Sequence, residues 1–72
     1  MLSLPDLAAC RANIHLIRSA LGDFHNGIGP AVYGRNSSGD WVQLRRARLE
    51  KGTPYGEDGD GKVFVLRGVR AG

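Results

Sequence analysis

The stretch Leu7-Ala8-Ala9-Cys10-Arg11-Ala12-Asn13-Ile14-His15-Leu16-Ile17-Arg18-Ser19-Ala20-Leu21-Gly22-Asp23-Phe24 decides how this chain reads. Its apolar residues Leu7, Cys10, Ile14, Ile17, Leu21 and Phe24 recur in alternating steps of three and four. On a helix turning about 100° per residue, that spacing lines them up as one stripe. Upstream, Ser3 can cap, Pro5 suits a first turn where a missing N–H costs nothing, and Asp6 completes a capping box. The spacing therefore predicts an amphipathic helix over about residues 4–24.

Ala9, Leu16 and Ala20 widen the stripe to roughly half the helix circumference. So broad an apolar face calls for two neighbours. One is the domain's own sheet; the other is a partner protein or a second copy of the helix, giving a homodimer. Asn13 falls inside the widened arc, either as a polar contact that fixes register at such an interface or as a locally bonded side chain.

Beyond the helix, Gly22 and then Asn26-Gly27-Ile28-Gly29-Pro30 supply termination and a connection. From residue 31 the period changes. Ala31-Val32-Tyr33-Gly34-Arg35, a polar turn over residues 36–40, and Trp41-Val42-Gln43-Leu44 read as a β-hairpin, the second strand running to about residue 49. A second helix competes here, because Asp40 and Gln43 resemble a capping box and residues 44–51 are rich in helix formers. The strand is preferred, since a helix would put Arg45 and Arg48 inside the apolar arc. The alternation changes phase across Arg45-Arg46, which predicts a β-bulge there. Residues 53–61 read as a long Gly-rich, acidic connection, residues 62–69 as a third strand, and Arg70-Ala71-Gly72 as a frayed end. The expected fold is α+β: one domain over residues 1–72, with an N-terminal helix packed on a small three-stranded antiparallel sheet (αβββ).

Composition narrows the class. Seventy-two residues give a thin core, close to the size at which a chain needs help from a partner. The single Cys10 forms no internal disulfide and fits a reducing compartment, hence a cytoplasmic location. The N-terminal apolar stretch is broken by Pro5, Asp6 and Arg11, which suits neither a signal peptide nor a membrane span. The net charge of +3 and a pI near 9.6 permit nucleic-acid binding without requiring it.

Catalytic and metal-binding patterns are weak. Asp58-Gly59-Asp60-Gly61-Lys62 resembles the opening of a calcium loop, but Lys62 stands at a ligand position and no closing Glu follows. Cys10, His15 and His25 have no zinc-site spacing, and nothing near Cys10 in the sequence would activate it as a nucleophile. The expectation is a non-enzymatic protein with no cofactor.

Two features suit binding. Arg11, His15, Arg18 and His25 form a basic stripe beside the apolar seam. Arg45, Arg46, Arg48 and Lys51, with Trp41 and Tyr33 across the hairpin and Arg67 and Arg70 on the last strand, interleave arginine with aromatics. That combination suits protein hot spots and unpaired bases alike. The leading expectation is a small protein that docks on a larger protein or complex as a modulator or inhibitor. Docking would use the helix interface (Leu7, Cys10, Ile14, Ile17, Leu21, Phe24) or the arginine-rich sheet. A nucleic-acid-binding module using the arginine face and a structural subunit of a larger assembly are the alternatives.

Overall fold

A computed structural model of the chain describes residues 3–9 and 13–71. Strand β1 (Asp6–Ala9) comes first, followed by helix α1 (Ile14–His25). Five strands follow: β2 (Val32–Arg35), β3 (Trp41–Leu44), β4 (Arg46–Glu50), β5 (Thr53–Glu57) and β6 (Val63–Arg67). They form one six-stranded sheet in the order β3-β2-β1-β6-β5-β4, antiparallel except for the parallel pair β1–β6. The expected αβββ arrangement on three antiparallel strands is therefore corrected: the sheet is larger and mixed, the helix is shorter, and a strand precedes it.

The correction turns on residues 6–9. Leu7 is fully buried, but as the inward residue of a central strand bonded on one side to β2 and on the other to β6. Pro5, read as a helix start, accepts at its carbonyl from Val65 N (2.9 Å) and leads into that parallel pairing. The helix begins at Asn13 instead, whose Oδ1 accepts from His15 N at 2.8 Å in N-cap geometry. Asn13 is thus a cap, not a seam contact. The tail is tied down as well: Arg70 O accepts from Ile14 N at 2.9 Å, and Arg70 bridges Asn13 in parallel.

Residues 41–44 and 46–50 are two separate strands on opposite edges of the sheet, which corrects both the competing helix and the expected single strand with a bulge at Arg45-Arg46. Residues 53–57, read as loop, are strand β5. Pro54 is tolerated there because it lies just past the residues of β5 that pair with β6, so no rung on that side lacks a donor. The β4–β5 turn is the two-residue Lys51-Gly52, both at positive φ (50° and 80°), the twist that suits a tight hairpin.

The strand order dictates the shape. β3 and β4 are opposite edges of the sheet, yet only Arg45 separates them in sequence. In a flat sheet five inter-strand steps would place those edges about 24 Å apart, whereas Leu44 and Arg46 can be at most about 7 Å apart. The sheet must roll until its edges meet at Arg45. At that corner Arg45 N donates to Glu57 O on β5 at 2.8 Å, and Arg45 O lies 2.9 Å from His25 Nε2 at the end of α1. The helix packs against β2 and β4, and the interior is filled by Leu7, Ile14, Ile17, Leu21, Val32, Leu44, Phe64 and Leu66.

Candidate functional site

Side chains alternate across each strand, and the inward set is spent on the core, so register assigns the outward set. Two cross-strand rows carry most of its chemistry. One runs Trp41, Arg35, Ala8, Arg67 across β3, β2, β1 and β6; the other runs Asp6, Val65, Tyr55, Arg48 across β1, β6, β5 and β4. Tyr33, opposite Gln43, stands one step along β2 from the first row.

The rows differ in how their cations are occupied. Arg48 is held by Glu50 (Nε–Oε1 3.0 Å) and Glu57 (Nη1–Oε2 3.8 Å) and lies over the Tyr55 ring at 5.7 Å. Arg35 sits over the Trp41 ring at 5.1 Å, its Nε donating to Gly39 O at 3.0 Å. Among the described residues neither Arg35 nor Arg67 has a carboxylate within 4 Å. Trp41 remains 57% exposed and Tyr33 43%. An indole braced on one side by a guanidinium, with much of its surface in water, is a stacking platform with charge beside it.

The turn that presents this row is rigid by construction. Asn36 Oδ1 accepts from Ser38 N (3.0 Å) and Asp40 N (2.9 Å), and Asn36 N donates to Asp40 O at 2.9 Å. The β5–β6 turn repeats the device: Asp58 Oδ1 accepts from Asp60 N and Lys62 N, both at 2.9 Å, and Asp58 N donates to Lys62 O at 3.1 Å. In the loop resembling a calcium site, that carboxylate oxygen is engaged in shaping the turn. Among the described residues no group of three or more His, Cys, Asp or Glu is placed to hold a metal.

A concave region lies where the sheet closes. A cleft of about 390 Å³ between His25, Arg45, Arg46 and the β5–β6 turn shares those three residues with one of about 500 Å³ between α1 and β4. Arg18 joins Arg45 and Arg46 there, and Arg45 lies over the Phe24 ring at 5.9 Å.

The residues expected to bind are thus divided. Trp41, Tyr33 and Arg67 share the outer face with Arg48, which is neutralised. Arg45 and Arg46 lie at the cleft with Arg18, and Lys51 caps an exposed hairpin. Of the basic stripe, Arg18 and His25 meet the cleft, His15 is exposed near the helix start, and Arg11 lies outside the described residues. Of the expected helix interface, Ile14, Ile17 and Leu21 are buried in this chain's own core, Leu7 is on β1, Phe24 is half-buried and Cys10 lies outside the described residues. Arg35 was not among the expected residues. The signal was present: it is two positions from Tyr33, hence on the same strand face, and a five-residue loop sets it opposite Trp41. No described helix is long and apolar enough to cross a membrane. Compared with protein families, characterised proteins and solved structures, the chain matches none.

Proposed function

We propose that the chain is a small, non-enzymatic module that binds single-stranded nucleic acid on the outer face of its sheet, in a reducing, cytoplasmic setting suggested by the lone Cys10. The observation that carries this reading is the row of Trp41, Arg35 and Arg67 beside Tyr33: exposed rings on one face with cations that have no carboxylate within 4 Å among the described residues. Rings offer their faces to unpaired bases, and guanidinium groups take the phosphates between them. A duplex keeps its base faces stacked, so the platform favours single strands. The burial of Ile14, Ile17 and Leu21 in this chain's own core supports the outer face over the helix seam as the binding surface.

Trp41 is the sole tryptophan, so its fluorescence reports the site directly. A mixed-sequence single-stranded oligonucleotide should quench it, and affinity should fall with salt at a log–log slope of about −0.7 per phosphate neutralised. In anisotropy with a labelled strand, Trp41→Ala should cost about 1–3 kcal/mol of binding while leaving thermal stability within about 0.5 kcal/mol of wild type. Absence of quenching at low salt, or equal affinity for duplex, would overturn the reading.

A further inference from the structure

Ten described glycines fall into two groups, with one exception. Gly27, Gly39, Gly52, Gly61 and Gly68 have positive φ, which explains each by backbone conformation. Gly29, Gly34, Gly56 and Gly59 have ordinary φ, but an added Cβ would meet neighbouring atoms within 4 Å. Gly22 alone has neither reason: it lies within α1, its φ is not positive, and a Cβ there would meet nothing within 4 Å. A glycine inside a helix costs about 1 kcal/mol relative to alanine. Neither the chain's backbone nor its packing requires that cost.

The space in front of Gly22 is the wider cleft between α1 and β4. Its lining combines Arg18, Arg45 and Arg46 with His25 and a small apolar floor that includes Leu21, and it contains no carboxylate. None of the three arginines has an acidic partner within 4 Å among the described residues. The narrower cleft beside it does include Glu57 and Asp58. Glu57 faces Arg48, and Asp58 Oδ1 receives two backbone amides.

We propose that this groove is a phosphate site, in which a phosphorylated ligand lies against the bare helix backbone at Gly22 with its anion held among Arg18, Arg45 and Arg46. Several guanidinium groups lining one cleft suit a multiply charged phosphate better than a single carboxylate. A side chain at position 22 would occupy the space the ligand uses. The site is separate from the outer-face platform and does not rest on it. A small phosphomonoester and the backbone of a nucleic-acid strand carry the same chemistry, and experiment distinguishes them.

The test is a ¹⁵N amide titration of the full chain with inorganic phosphate, and separately with a single-stranded oligonucleotide lacking terminal phosphate. Millimolar phosphate should shift the amides of Gly22, Arg45 and Arg46 saturably. Gly22→Leu should weaken that response by at least about tenfold, equivalent to 1.4 kcal/mol, and Trp41→Ala should leave it unchanged. Gly22→Ala serves as the folded reference and should melt higher than wild type. If the oligonucleotide moves the same amides, the phosphate comes from a strand; if only inorganic phosphate does, it comes from a small ligand. No saturable shift, shifts spread evenly over all arginines, or an unaltered response in Gly22→Leu would overturn the site. A groove response without Trp41 quenching would remove the outer-face reading and leave this one standing.

Discussion

Replacing Gly56 with alanine places a methyl group where the rolled sheet closes. An ideal Cβ on Gly56 of β5 would lie 2.7 Å from Leu44 Cδ2 and 2.9 Å from Leu66 Cδ2. Leucine methyls can often swing aside, but Leu44 is fully buried and Leu66 is 2% exposed, so there is little space to swing into. Overpacking of this kind costs about 1–3 kcal/mol. Because the φ of Gly56 is ordinary, alanine also restricts the unfolded chain, an opposing gain of about 0.4–1 kcal/mol. The clash is the larger effect, and the net loss should be about 1–2 kcal/mol. In a domain this small that lowers Tm by about 5–15 °C, read by circular dichroism or calorimetry. Leu44→Val makes room at the closure, so Gly56→Ala with Leu44→Val should lose less than the sum of the two single changes. A Gly56→Ala chain as stable as wild type, or strict additivity in the double variant, would refute the close approach of β3 and β5.

Ile17 is fully buried between α1 and the sheet, so Ile17→Ala should cost about 2–5 kcal/mol. Against a total of about 4–11 kcal/mol for a chain of this length, the urea midpoint should drop by about a fifth or more, and a loss below 1 kcal/mol would mean the helix does not seal the core. The matched turns give a paired prediction. Asn36→Ala removes a neutral acceptor of two amides and Asp58→Ala a charged one, so they should cost about 1 and about 2 kcal/mol respectively. Amide exchange should quicken at Ser38 and Asp40 in the first variant and at Asp60 and Lys62 in the second; equal stability losses would argue against charge-assisted bonding at Asp58.

The six-residue stripe from Leu7 to Phe24 was misleading because a period of two and a period near three and a half can agree over a short stretch. Leu7 and Ala9 face inward with strand alternation, while Ile14, Ile17 and Leu21 do so with helical spacing. Joined end to end, the two patterns mimic one long helix. What separates them is the pairing of Asp6, Leu7 and Ala8 with Val65, Leu66 and Arg67, nearly the full chain length away. Local propensity contains no record of such a contact. Strand β5 was hidden for a related reason: Thr53-Pro54-Tyr55-Gly56 has turn composition, and only the partners β4 and β6 make it a strand. The phase change at Arg45-Arg46 was legible as a local break in alternation, but it marks the corner at which β3 gives way to β4 and not the bulge expected within one strand.

That corner also explains why an arginine-rich segment does not act as a unit. Read linearly, Arg45, Arg46 and Arg48 look like one basic patch beside Trp41. Arg46 and Arg48 are two apart on β4 and share one face of it, whereas Arg45 lies at the bend before that strand. Arg45 goes to the cleft over Phe24, while Arg46 stands at the rim of both clefts. Arg48 is drawn into ion pairs with Glu50 and Glu57. The cation over Trp41 is Arg35, from the preceding strand, and the other in its row is Arg67, three strands across the sheet and 26 positions further on. Charge in this chain is distributed by strand register and by the closure of the sheet, so nearness in sequence overstates the unity of the patch. The same reasoning separates the experiments: substitutions at Arg35 and Arg67 should act on the outer face, and substitutions at Arg18 and Arg45 on the groove.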